Sequence, residues 1–227
     1  MPDSPYLALT FDCYGTLVDW RAGMLAALGT LPSLHGQESR FRDLLDARDA
    51  AERELEHGDY LPYRRILATS LKAACRSALE LELPDVEAQR FADAQARWPA
   101  FPDTVAALRR LAPRFRLGAL SNSDRAPLES TAAEVLDGAV TPLVAAEDVH
   151  AYKPAPAHFE EALRRLALEP AQLLHVSAYP WFDLEPAHAL GIPVAFVHRD
   201  PTVAVPGHLP LAAAVHDLAE LAGALGC

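Results

Sequence analysis

The stretch Tyr6-Leu7-Ala8-Leu9-Thr10-Phe11-Asp12-Cys13-Tyr14-Gly15-Thr16-Leu17-Val18-Asp19 decides how the rest of the chain is read. Tyr6 to Phe11 is a short apolar run without clean alternation, the pattern of a parallel strand covered on both faces. It ends on an acid followed by a glycine-containing turn. In open α/β sheets, ligands bind outside the carboxyl ends of the strands. Asp12 therefore stands where such a sheet does its chemistry.

Similar runs recur at Arg116 to Leu120, Pro142 to Ala146, Leu173 to Ser177, Pro193 to His198 and Leu211 to Val215. Helical patterns separate them, including Asp103 to Leu111 and Pro156 to Leu166. This alternation predicts an α/β fold with a Rossmann-like, doubly wound parallel sheet. Residues 19–97 break the rhythm, with no convincing strand. Phe41, Leu44, Leu45, Arg48, Glu52 and Leu55 share one helical face, and Tyr63, Ile66, Leu67, Ser70, Leu71 and Ala74 another. The expectation is a core of residues 1–18 and 98–227 carrying a helical cap domain of residues 19–97, inserted after the first strand.

The 227 residues suffice for that division. A net charge of -11 disfavours general nucleic-acid binding, since such a surface repels phosphate backbones. No apolar run is long enough to span a membrane. Met1 to Pro5 lacks the basic and apolar regions of a signal peptide. Cys13, Cys75 and Cys227 are too scattered for a disulfide framework or a zinc knuckle. A cytoplasmic protein is the simple expectation.

Each expected strand end delivers polar groups to one rim. Asp12, Tyr14 and Thr16 follow the first, and Ser121 and Asn122 the second. Lys153 precedes Pro154 and a helix. Ser177, Tyr179 and Asp183 follow a later strand. Singly these are ordinary turn residues. In this order, along nearly the whole chain, they resemble the haloacid dehalogenase superfamily. The resemblance makes Asp12 the nucleophile, Ser121 the second-motif hydroxyl, Lys153 the third-motif lysine and Asp183 the fourth-motif acid.

Within that superfamily the Asp12-Cys13-Tyr14-Gly15-Thr16 segment resembles the type II 2-haloacid dehalogenases. The phosphatases of the superfamily place a second Asp two positions after the nucleophile. Tyr14 stands there, and tyrosine titrates near 10, a poor acid at neutrality. Ala178, at the leading position of the fourth motif, cannot bind a metal. The resemblance thus implies a hydrolase with a covalent ester on Asp12, acting on small anionic carboxylates without a cofactor or metal. It gives Lys153 the task of lowering the Asp12 pKa. It has Asp183 position Lys153 or help activate water, makes Ser121, Asn122 and Thr16 hydrogen-bond donors to carboxylates, and counts Thr16, Asn122 and Ser177 with Tyr14 and Tyr179 among the substrate-binding residues. Tyr179 stands where those dehalogenases have Asn, and the spacing to the acid is one residue longer. Arg48 has two readings: a cap arginine facing substrate, or a snorkelling residue paired with Glu52. Two rival functions stay open, a Mg²⁺-dependent phosphatase of the same fold and a catalytically idle binding protein. The resemblance also allows a homodimer.

Overall fold

The computed structural model describes residues 4–56 and 58–227. Met1 to Asp3, and with them most of the leading segment read above, lie outside the described residues. The chain divides into two compact units, one ending at Asp19 and resuming over Ala100–Cys227, the other Trp20–Pro99.

The first unit opens with strand β1 (Ala8–Asp12), every residue of which is buried. The second unit is helical, with α1 (Trp20–Leu28), α2 (Phe41–Glu56), α3 (Tyr63–Leu79) and α4 (Asp85–Asp93). Its apolar faces are those the periodicity marks. Leu44 and Leu45 of α2, Ile66, Leu67 and Leu71 of α3, and Phe91 of α4 are buried. Helix α3 stops where Glu80 adopts a left-handed conformation, and its N–H returns to the Cys75 carbonyl.

The chain then re-enters the first unit through α5 (Thr104–Leu111), β2 (Arg116–Ser121), α6 (Arg125–Ser130), β3 (Leu143–Ala145), α7 (Ala146–Val149) and α8 (Ala157–Leu166). It finishes with β4 (Leu173–Ser177), α9 (Glu185–Ala189), β5 (Val194–Val197), β6 (Leu211–Val215) and α10 (Leu218–Ala224). All six strands run parallel in the order β3-β2-β1-β4-β5-β6. The order reverses at β1, so the crevice lies beside its carboxyl end, between β1 and β4. Phe159, Ala162 and Leu166 of α8 pack with Leu120, Val144, Leu173, Val194 and Phe196 of the strands into one core. That rigid layer fixes where the strand ends point. Gly118 is required in β2, since a Cβ there would sit 2.8 Å from the Pro142 carbonyl oxygen.

Candidate active site

Asp12 is the last residue of β1, paired in register with Leu120. The chain then closes a tight turn. The Cys13 carbonyl accepts from the N–H groups of Leu17 and Val18 at 2.9 and 3.0 Å, and Gly15 N–H donates to the Val18 carbonyl at 2.7 Å. Gly15 has φ +103, and a Cβ on it would overlap the Tyr179 hydroxyl at 2.1 Å. Only glycine lets the Tyr179 ring lie against this turn. Arg199 braces the turn from outside, donating from Nε to the Thr16 carbonyl at 3.0 Å. Its guanidinium grips Asp103 through two bonds of 2.8 and 2.9 Å and lies 4.2 Å from the Phe101 ring centre.

The structure brings Asp12, Thr16, Lys153 and Asp183 together in one buried network. Lys153 Nζ donates to Asp12 Oδ1 at 2.8 Å, to Asp183 Oδ1 at 2.6 Å and to the Leu120 carbonyl at 3.2 Å. These three bonds use all three ammonium hydrogens. Thr16 Oγ1 donates to Asp12 Oδ2 at 2.8 Å and accepts from the Ala178 N–H at 3.0 Å. Asp12, Lys153 and Asp183 are 5%, 3% and 1% exposed. Two carboxylates facing one ammonium leave a formal excess of one buried negative charge.

That excess sets the protonation behaviour. Burial raises Asp12 to about 6, against the pull of Lys153 and with a further push from Asp183. Lys153 pulls the Asp12 value down, but desolvation outweighs it and the net shift is upward, not the lowering that the resemblance implies. Burial also opposes ionisation of Asp183, yet Lys153 and His175 together overcome it and hold that acid at about 2. Lys153 is raised: burial works against its charge, and the two acids more than compensate.

The other expected residues fall as follows. Asn122 does not reach outward. Its Oδ1 accepts from Lys153 N–H at 2.6 Å and its Nδ2 donates to the Lys153 carbonyl at 3.1 Å. Thr16 and Asn122, read from the sequence as substrate-binding residues, are thus engaged within the protein, one on the Asp12 carboxylate and one on the Lys153 backbone. Ser121 is buried at the end of β2. Ser177 Oγ, at the end of β4, accepts from the Tyr179 N–H at 3.0 Å. The Tyr14 and Thr131 hydroxyls share a 3.0 Å hydrogen bond, and burial lifts the Tyr14 phenol well above its ordinary value. Arg48 lies in the helical unit, 1% exposed, where it pairs with Glu52 and, at 3.2 Å, with Asp49. Its guanidinium also contacts Ser70 Oγ at 3.5 Å and Met24 Sδ at 2.9 Å.

Thr10 and His175, assigned no role from the sequence, both join the network. His175 Nε2 contacts Asp183 Oδ1 at 3.1 Å and its Nδ1 contacts Thr10 Oγ1 at 3.0 Å. Period-two counting back from Asp12 and Ser177 puts Thr10 and His175 on the same faces as those residues. Reading their contact also needs the register that pairs Thr10 with His175. Arg199 and Asp103 carried no signal, being separated by 96 residues.

A family model of haloacid dehalogenase-like hydrolases matches residues 6–191. An (S)-2-haloacid dehalogenase of Pseudomonas putida is 29% identical over 220 residues, covering 94% of this chain and 93% of that protein. Another (S)-2-haloacid dehalogenase, from Pseudomonas fluorescens, is 28% identical over 225 residues, covering 93% and 92%. The crystal structure of an L-2-haloacid dehalogenase superposes with a TM-score of 0.84 at 25% identity, covering 99% of this chain and 100% of that one.

Proposed function

Since the chain belongs to the haloacid dehalogenase-like hydrolases, we propose that it hydrolyses the carbon–halogen bond of small 2-haloacids through an ester formed on Asp12. An Asp12 oxygen attacks the carbon bearing the halogen, and halide departs with the bonding pair. Water then adds to the Asp12 carboxyl carbon. The bond from that carbon to the substrate oxygen breaks, a 2-hydroxyacid leaves, and Asp12 returns as a carboxylate. In this reading residues 19–97 are the helical cap domain of the family.

The observation that carries the reading is the setting of Asp12. It is a nearly buried carboxylate, steered by one hydroxyl and one ammonium, and Tyr14 stands two positions on, where a phosphatase of this family keeps its leaving-group acid. Halide needs no proton, whereas an alkoxide leaving a phosphoryl group does. The Mg²⁺-dependent phosphatase alternative fits these residues poorly. Lys153 stands between the two carboxylates that such a cation would need. Ala178 adds no oxygen side chain, and burial deepens the reluctance of Tyr14 to ionise. The idle-protein alternative leaves unexplained a buried excess charge held at a strand end.

Halide release from 2-chloropropionate, compared with phosphate release from p-nitrophenyl phosphate, each with and without chelator, tests the proposal. Chelator-resistant halide release is expected. Chelator-sensitive phosphate release without halide release would overturn it.

A further inference from the structure

The imidazole of His175 is completely buried, and both of its nitrogens are engaged. Its protonation pattern follows from its neighbours. Asp183 is ionised and can only accept, so His175 Nε2 carries the hydrogen. Burial keeps the ring below its ordinary value and therefore neutral. His175 Nδ1 is then a lone pair, and the Thr10 hydroxyl donates to it. Phe159 sets the ring plane, packing edge-on with centroids 5.1 Å apart at 87°. The ring is thus held by a strand neighbour on one side and a core helix on the other.

Its effect falls on Asp183. Both donors to that acid, Lys153 Nζ at 2.6 Å and His175 Nε2 at 3.1 Å, converge on Oδ1. Among the described residues, no hydrogen bond reaches Oδ2. The two donors drain basicity from one oxygen and leave it on the other. While Asp12 is a carboxylate, Lys153 bridges the two acids. Once Asp12 is an ester, that bridge has lost a charge, and Lys153 is a flexible four-carbon stem. His175, fixed in β4, is then the stiff partner of Asp183.

We infer that His175 is a positioning residue that orients Asp183 for ester hydrolysis, the second half of the proposed reaction, on which this inference rests. Asp183 Oδ2 takes a proton from the water that adds to the Asp12 carboxyl carbon. It returns that proton to the departing substrate oxygen. The water oxygen stays on Asp12, and its second proton leaves as Asp12 ionises.

Two substitutions separate this role from mere packing. His175→Phe keeps the ring and its edge contact but removes the donor; His175→Gln keeps a donor at the ε position. The readouts are halide burst and steady-state rate, together with mass spectrometry of acid-quenched enzyme for the Asp12 adduct. In His175→Phe, kcat should fall about tenfold, as for loss of a hydrogen bond to a charged group. The burst rate should hold within about twofold, so adduct accumulates. His175→Gln should recover most of kcat and clear the adduct. Equal slowing of both halves, or a kcat unchanged in His175→Phe, overturns the inference while leaving the proposed activity standing. Wild-type protein that releases no halide overturns the activity and the inference with it.

Discussion

Two buried cations in this molecule face the same charge count and behave differently. Lys153 meets Asp12 and Asp183, and Arg48 meets Asp49 and Glu52. In each place one of the two acids is pushed up to about 6, chiefly by burial. The construction differs. The Arg48 partners sit one and four residues along the same helix, with side chains 24% and 16% exposed. A rotamer change can carry those carboxylates toward water. The Lys153 partners come from the end of β1 and from the segment after β4, 141 and 30 residues away, and their side chains are 7% and 1% exposed. No side-chain rotation releases them, because the parallel sheet holds both ends. Excess charge that can relax is a structural feature. Excess charge that cannot relax is stored at a place where chemistry can use it.

The largest effect should come from removing the cation of the rigid cluster. Lys153→Met leaves two buried carboxylates without a cation. Urea denaturation should show a loss of about 3–5 kcal/mol. Arg48→Met should cost less, roughly 1–3 kcal/mol, because Asp49 and Glu52 reach solvent and Tyr63 still donates to Glu52 at 2.5 Å. An Arg48 variant as damaged as the Lys153 variant would break the comparison.

Asp12→Asn should act in the opposite sense on stability while abolishing turnover. A raised folded pKa means that Asp12 binds its proton more tightly folded than unfolded. Folding is therefore favoured as pH falls from about 6 toward the ordinary 3.8, and the ionised form is the costly one. Asparagine removes that cost at every pH and leaves Lys153 matched to Asp183 alone. Thermal unfolding at pH 8 should show a midpoint equal to or above wild type. A marked drop would mean that the second negative charge is not in excess.

The same shift sharpens the catalytic side. Attack needs ionised Asp12, so kcat/KM should fall about tenfold per pH unit below about 6, with a flat region above. The smallest effect is expected at exposed pairs such as Arg109–Asp137, 67% and 58% exposed. Arg109→Ala should leave the unfolding midpoint unchanged within measurement error.

What the sequence disclosed follows the same division. Strands β2, β4 and β5 lie where their apolar runs stand, because a doubly covered strand must be apolar along its length; β6 also lies where its run stands, though as an edge strand it alternates half-buried and exposed residues. Strand β1 begins at Ala8 rather than Tyr6, and Leu7 is 49% exposed. The neighbouring strands begin opposite Ala8, at Arg116 and Leu173, and that sets its start. The Arg48–Glu52 pair was legible as an i, i+4 step within one helix. The meeting of Asp12 with Lys153 was legible only through resemblance, since nothing local links residues 141 apart. Thr10 with His175, and Arg199 with Asp103, needed strand register and loop packing that no local pattern encodes.

The central claim is that the oxygen transferred to substrate comes from Asp12. A single turnover of excess enzyme on 2-chloropropionate in H₂¹⁸O addresses it directly, with mass analysis of the lactate and of the peptide containing Asp12. The account requires unlabelled oxygen in the new hydroxyl of the lactate and ¹⁸O in the Asp12 carboxyl. Label in that hydroxyl on the first turnover, with Asp12 unlabelled, would mean that water attacks the substrate directly, and the account would fail.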